Sequence, residues 1–157
     1  MKVLVQEAGF DLGAQSDAFA AGVSGAGAIV TFTGVVRDAD AGGLVAMEIE
    51  HYPGMTERSI AELIVQARQR FDVHGVRVIH RVGPLAVAEQ IVLVAVTSAH
   101  RQQAFDCAAF LMDWLKTSAP FWKKEIAGAD ARWVDARESD EAAARRWQLA
   151  PTGEGLA

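Results

Sequence analysis

The sequence predicts a single domain of the α+β class. Segments of helical and strand character are interspersed along its 157 residues, and two pairs of adjacent strands are typical of hairpins, which together indicate this class. A chain of this length normally forms one domain. Hydrophobic residues make up 51% of the chain, so it can bury a substantial core.

The first third of the chain contains the first predicted hairpin. Alternating or β-branched runs predict strands over 2–6, 28–36 and 44–52. A weaker pattern predicts a short helix over 14–23. The stretch D-A-D-A-G-G has the glycines and aspartates of a flexible loop. We therefore expect the second and third strands to pair, with their loop beginning at Arg37.

The middle of the chain contains one predicted helix followed by two predicted strands. Thr56 follows a Pro-Gly turn and is expected to cap a helix. Its apolar face is formed at helical spacing by Ile60, Leu63, Ile64, Ala67 and Phe71. Strands are predicted over 75–82 and 90–98, with a turn at Gly83-Pro84 between them.

The stretch 97–125 contains the central predicted helix of the chain, with basic residues at both ends. Apolar spacing predicts a helix over 101–116, with Ser98 as its N-cap. His100 and Arg101 then fall in the first turn, where the helix dipole is positive and disfavours cations. A bound phosphate would reverse that argument, because exposed N–H groups and two basic side chains suit an anion.

The last part of the chain contains the second predicted hairpin. After Pro120, short strands are predicted over 121–126 and 131–136, followed by a helix over 139–147 that Ser139 caps. We expect residues 1–147 to form one domain with a small β subdomain, and 148–157 to be a disordered tail.

The composition excludes several classes of protein. The net charge of −5 argues against a general nucleic-acid binder. A single cysteine allows no intrachain disulfide, and the four histidines show no ligand spacing with carboxylates, so no metal site is expected. Neither a signal peptide nor a membrane span is recognisable, which predicts a cytoplasmic protein without membrane contacts.

A set of basic residues is the main candidate for chemistry. It consists of Arg37, His100, Arg101, Lys116, Lys123 and Lys124. Taken one at a time, each is explained at least as well by a solvated surface, and the set indicates a site only if its members converge. Cys107 lies among apolar helix positions, which favours a buried, inert thiol.

Six segments resemble the large, catalytic subunit of molybdopterin synthase. They are T-F-T-G-V-V-R at 31–37, E-H-Y-P-G-M at 50–55, I-H-R-V-G at 79–83, T-S-A-H-R at 97–101, L-K-T-S-A-P-F-W-K-K-E at 115–125 and R-W-V-D-A-R-E-S-D at 132–140. They follow the order of that family over most of residues 29–147.

The resemblance implies an activity, two protein partners and a fold. The enzyme would convert cyclic pyranopterin monophosphate (precursor Z) into molybdopterin. Sulfur would come from the C-terminal Gly-Gly thiocarboxylate of a small ubiquitin-like partner, and no metal or redox cofactor would be needed. Two large subunits would form a central homodimer with one small subunit at each end, as a heterotetramer. The fold would be α/β-hammerhead-like with an additional antiparallel β subdomain.

The resemblance also implies roles for individual residues. Lys116 and Lys123 match the essential lysines, and Arg37, His100 and Arg101 match anion and pterin contacts. Lys124 and Glu125 fall in the substrate-binding stretch, and Arg137 matches an arginine that reaches into the neighbouring subunit's pocket. Two alternatives remain open: a non-catalytic module that binds a phosphate ligand, and a persulfide sulfurtransferase that uses Cys107.

Overall fold

The computed structural model describes residues 2–39, 42–135 and 138–148. Its strands are β1 (Lys2–Gln6), β2 (Ala28–Val35), β3 (Ala46–His51), β4 (Gly75–Arg81), β5 (Gly83–Ala86), β6 (Gln90–Ser98), β7 (Phe121–Ala127) and β8 (Asp130–Val134). Its helices are α1 (Leu12–Ala20), α2 (Met55–Arg70), α3 (Arg101–Thr117) and α4 (Glu138–Gln148). The interspersed helices and strands confirm the α+β class.

The first sheet has the strand order β1-β4-β6-β2 and carries most of the core. β1 runs parallel to β4, whereas the β4–β6 and β6–β2 pairs are antiparallel. Residues 91–98 of β6 are all buried, which explains why this strand is a nearly continuous apolar run. α3 packs against β6 and β2, and α2 packs against β1 and α3.

The second sheet is antiparallel, with the order β5-β3-β7-β8. Its last two strands form the second predicted hairpin, and Gly128 takes the positive φ of 60° in the turn between them. This sheet is the small antiparallel β subdomain that the resemblance implied.

The first predicted hairpin is wrong. β2 pairs with β6 in the first sheet, whereas β3 pairs with β5 and β7 in the second. The loop after Arg37 therefore crosses between two sheets. Local turn chemistry cannot distinguish a hairpin from a crossover, because strand pairing is decided by long-range burial. The predicted turn at Gly83-Pro84 is likewise the beginning of β5.

The starts of three helices also differ from the prediction. α2 begins at Met55 with Gly54 as its N-cap, so Thr56 lies in the first turn instead of capping it, and its hydroxyl donates to the carbonyl of Tyr52 at 3.0 Å. The N-cap of α3 is His100, which makes no side-chain capping bond. Ser98 lies two residues earlier: its hydroxyl donates to the carbonyl of Asp72 at 2.7 Å and accepts the His100 N–H at 3.2 Å. Ser139 lies inside the first turn of α4, which begins at Glu138. The predicted tail falls outside the described residues from 149 onwards.

Candidate functional site

A cleft of about 620 Å³ lies where the two sheets meet the last turn of α3. Its lining comes from the end of β2 and the segment after it, from α3, and from β7 and β8. The polar lining residues include Arg37, Asp38, Lys116, Lys123, Glu125, Arg132, Asp135 and Asp140. The structure therefore brings four of the predicted site residues together, namely Arg37, Lys116, Lys123 and Glu125.

An apolar trough of about 590 Å³ continues from this cleft and shares Arg37, Lys116 and Lys123 with it. Its walls are largely hydrophobic side chains of β2 and the residue after it, of β6 and of α3: Phe32, Val35, Val36, Ile91, Val92, Met112 and Leu115. The site thus has a basic rim beside an apolar wall. Such a combination suits a ligand that carries both an anionic group and a flat or apolar part.

The alternation of β7 decides which of its residues belong to the cleft. Phe121, Lys123 and Glu125 line it, because every second side chain of a strand points to the same face. Lys124 points to the opposite face, where its Nζ lies 5.4 Å from the ring centroid of Trp133. Lys124 was predicted to contact substrate, but within one subunit it lies outside the cleft.

Lys116 reaches the cleft from the last turn of α3. A cation at this end of a helix is favoured by the helix dipole. Its Nζ lies 3.8 Å from a carboxylate oxygen of Asp140 in α4, and the lysine side chain is 45% exposed. At that distance and exposure the ion pair is weak, so the amine can exchange Asp140 for an anionic ligand.

Asp113 of α3 anchors α4 and thereby places Asp140. One of its carboxylate oxygens accepts hydrogen bonds from Arg146 and from the indole of Trp147, both at 2.7 Å. The Trp147 ring also packs edge-on against Phe71 and Phe110. These contacts combine burial of a large aromatic surface with a satisfied indole N–H.

Two carboxylates of the cleft accept hydrogen bonds from other parts of the chain. Glu125 accepts hydrogen bonds from the Arg132 guanidinium at 3.1 and 3.3 Å. Asp38 accepts the backbone N–H groups of Ala39 and Leu44 at 2.7 and 2.9 Å, which shapes the crossover loop. Because Asp38 and Glu125 are engaged in this way, they compete less with an anionic ligand for the lysines.

His80 is a residue of the site that the sequence analysis did not single out. It lies near the end of β4, is 4% exposed, and lines the apolar trough beside Lys123. Burial lowers its pKa from 6.5 to about 3, with smaller contributions from the charges of Lys123 and His51. The sequence could have pointed to His80 through the segment I-H-R-V-G, which is one of the six segments that resemble the family.

Cys107 is fully buried in α3 and is not among the lining residues of either cavity. Its surroundings raise the pKa of the thiol to about 12, because desolvation disfavours the thiolate. Since the thiolate is the reactive form, this environment argues against a persulfide mechanism.

His100 and Arg101 form a separate basic region. Both are exposed at the start of α3, and Arg101 lies fifteen residues before Lys116, which corresponds to about 22 Å along a helix axis. Neither lines the cleft or the trough. Arg137, the remaining predicted site residue, lies outside the described residues.

Within 2–39, 42–135 and 138–148, no group of three or more histidine, cysteine or carboxylate side chains is arranged to hold a metal ion. No helix in the described part of the chain is long and apolar enough to cross a membrane.

Comparison with known proteins identifies close relatives. A family model described as MoaE protein matches residues 5–118. The chain is 58% identical over 147 residues to the molybdopterin synthase catalytic subunit of Cereibacter sphaeroides, covering 94% of this chain and 100% of that one.

Solved structures share the fold. The MoaE protein of Burkholderia ambifaria superimposes with a TM-score of 0.81 at 44% identity, covering 95% of this chain and 99% of that one. A protein–protein complex of subunits 1 and 2 of the molybdopterin-converting factor from Helicobacter pylori contains a chain with a TM-score of 0.71 at 18% identity, over 86% of this chain and 91% of that one.

Proposed function

This chain belongs to the MoaE family of molybdopterin synthase catalytic subunits, and we propose that it transfers sulfur from a small protein donor to precursor Z. The donor is a ubiquitin-like subunit whose C-terminal Gly-Gly carries a thiocarboxylate. The acceptor is the cyclic pyranopterin monophosphate, which becomes the dithiolene of molybdopterin. The observation that carries this proposal is the convergence of Arg37, Lys116 and Lys123 on one cleft.

The cleft suits both reactants electrostatically. The phosphate of the substrate and the thiocarboxylate of the donor are anions, and each gains charge-assisted hydrogen bonds from lysine and arginine. The adjoining trough offers apolar walls for the planar pterin or for the aliphatic part of the donor tail. Placing two anions together requires cations on more than one side, and the cleft has them on β7, on α3 and after β2.

The reaction needs proton transfers rather than oxidation. Each transfer breaks the C–S bond of the donor thiocarboxylate and a C–O bond of the pterin side chain, and forms a C–S bond on the pterin. The donor tail becomes a carboxylate whose new oxygen comes from the displaced group or from water, so no electrons are gained or lost overall. We assign the proton transfers to Lys116 and Lys123, because an amine at the point of charge development can act as acid and as base. Arg37 and Glu125 bind and orient the substrate.

The proposal includes two kinds of subunit contact. The Helicobacter pylori complex joins two different subunits, and we infer a corresponding complex here between this chain and its small sulfur-carrier partner. We further infer a central homodimer and hence a heterotetramer. His100 and Arg101 lie too far from the cleft to contact the same substrate within one subunit, so in this assembly they and Arg137 act from the second copy.

Reconstitution with the thiocarboxylated partner tests the proposed reaction. The wild-type chain should convert precursor Z to molybdopterin, and the partner without its thiocarboxylate should support no turnover. The alternative of a module that only binds phosphate predicts binding of precursor Z without any product, and that result would refute the sulfur-transfer function.

A further inference from the structure

The ring of His80 is held in a fixed orientation at the boundary between the two sheets. It stacks on Phe121, with 3.8 Å between ring centroids and 16° between ring planes. His80 belongs to β4 of the first sheet and Phe121 begins β7 of the second. The stack therefore locks the imidazole plane to the strand that carries Lys123.

One edge of the imidazole is occupied by the backbone. The Nδ1 atom lies 2.8 Å from the carbonyl oxygen of Arg81. A carbonyl oxygen can only accept, so Nδ1 must carry the proton. His80 is 4% exposed, and such burial keeps the imidazole neutral. A neutral imidazole has one N–H, which leaves a lone pair on Nε2.

His80 also lines the site. His80 lines the trough together with Lys123, and Lys123 follows Phe121 by two residues on the same face of β7. The two groups are also within electrostatic reach, since the charge of Lys123 contributes to the lowered pKa of His80. His80 and Lys123 thus line the same trough and lie close enough for their charges to interact.

We propose that His80 is a positioning residue for Lys123, with Nε2 accepting a hydrogen bond from the lysine nitrogen and holding it against the cleft wall. A lysine side chain has four rotatable carbon–carbon bonds and loses much entropy when it is fixed. An acceptor already fixed by a stack and a backbone bond reduces the number of orientations that the amine samples. The benefit for catalysis rests on the proposed sulfur transfer, whereas the hydrogen bond itself does not.

Nitrogen NMR of the full-length chain labelled in histidine tests the hydrogen bond without any turnover. In the wild-type protein near neutral pH, we expect Nδ1 of His80 to be protonated and Nε2 to be an unprotonated acceptor. Lys123→Met should move the Nε2 resonance toward that of a free acceptor, whereas Lys124→Met, on the other face of β7, should leave it unchanged. A protonated Nε2, or a resonance insensitive to Lys123→Met, would overturn the proposal.

Kinetics then separate a positioning role from a structural one. His80→Phe keeps an aromatic ring to stack on Phe121 but has no acceptor, and His80→Gln places an amide near the position of Nε2. We expect His80→Phe to lower kcat by about tenfold to a hundredfold, the effect of one hydrogen bond to a charged group, with KM unchanged. His80→Gln should recover part of that loss.

Two controls complete the experiment. His74→Gln alters an exposed histidine and should leave kcat unchanged. A well-folded His80→Phe protein with wild-type kcat contradicts the positioning role even if sulfur transfer is intact. If His80→Phe does not fold, the NMR result on the wild-type chain and Lys123→Met decides the proposal. If the wild-type enzyme makes no product, sulfur transfer fails while the hydrogen bond is still judged by NMR.

Discussion

Lys123 and Lys124 are adjacent on β7 and face opposite sides of the second sheet. Lys123 lines the cleft with Lys116 and Arg37, whereas the Nζ of Lys124 lies 5.4 Å from the centroid of Trp133. Two neighbouring residues of the same type therefore have different surroundings. A substitution of Lys124 therefore serves as the matched control for the same substitution of Lys123.

Lys116→Ala should impair product formation with little loss of stability. Its ion pair with Asp140 is 3.8 Å long and its side chain is 45% exposed, so we expect the free energy of unfolding to fall by no more than about 1 kcal/mol. Denaturant unfolding and turnover with the thiocarboxylated partner measure the two effects.

Asp140→Asn is the control for Lys116→Ala. It removes the same ion pair but keeps the lysine, so it should retain most activity. If both variants lose activity equally, the ion pair rather than the amine is what catalysis needs.

Cys107→Ser should remain active. The thiol is fully buried and its pKa is raised to about 12, so we expect a loss of stability of about 1–3 kcal/mol from burying a hydroxyl. Turnover at a temperature well below the melting transition should be close to that of the wild type. A folded but inactive Cys107→Ser protein would instead support a persulfide mechanism.

The stability of the protein should depend on pH through His80. Its pKa is 6.5 when unfolded and about 3 when folded, so below pH 6.5 the unfolded chain binds a proton that the folded chain does not. This contribution to stability is complete above pH 6.5 and is lost as pH falls toward 3, at about 1.4 kcal/mol for each pH unit. Denaturant unfolding at a series of pH values measures it.

The comparison with His80→Phe isolates this effect. The variant retains the other titrating groups, so the difference in slope between the two proteins belongs to His80. Equal slopes for wild type and variant would show that the imidazole is accessible to protons in the folded state.

Arg101→Ala should weaken binding of precursor Z and slightly stabilise the free protein. Removing a cation from the positive end of α3 gains about 0.3–1 kcal/mol, while the substrate phosphate loses a charge-assisted partner. Melting curves with and without precursor Z measure both changes. An unchanged ligand-induced shift would show that the phosphate is bound without Arg101.

Local patterns in the sequence predict much of the fold but not its long-range pairing. The bounds of β6 were predicted correctly, and the helix predicted over 101–116 is one residue longer in the structure and ends at Thr117. Both predictions succeed because apolar periodicity is a local property of the sequence. The partner of β2 was missed, because nothing local distinguishes a crossover from a hairpin. The short β5 was read as a turn because it begins with Gly83-Pro84.

The candidate site, too, was predicted in part from local motifs and in part depends on long-range pairing. The motif resemblance pointed to Arg37, Lys116 and Lys123, which the fold brings to one cleft. It could not separate Lys124 from Lys123, because the face of β7 is set by its register with β3 and β8. The role of His80 depends on a stack between residues forty-one positions apart, and no spacing pattern reports such a contact.

The rate at which Lys123→Ala forms molybdopterin tests the central claim most directly. It should be measured in a single turnover with thiocarboxylated partner and precursor Z, beside Lys124→Ala. We predict that Lys123→Ala melts like the wild type, still binds the partner, and forms product at least about a hundredfold more slowly, while Lys124→Ala loses much less. Near wild-type product formation by folded Lys123→Ala would contradict the assignment of catalysis to this cleft.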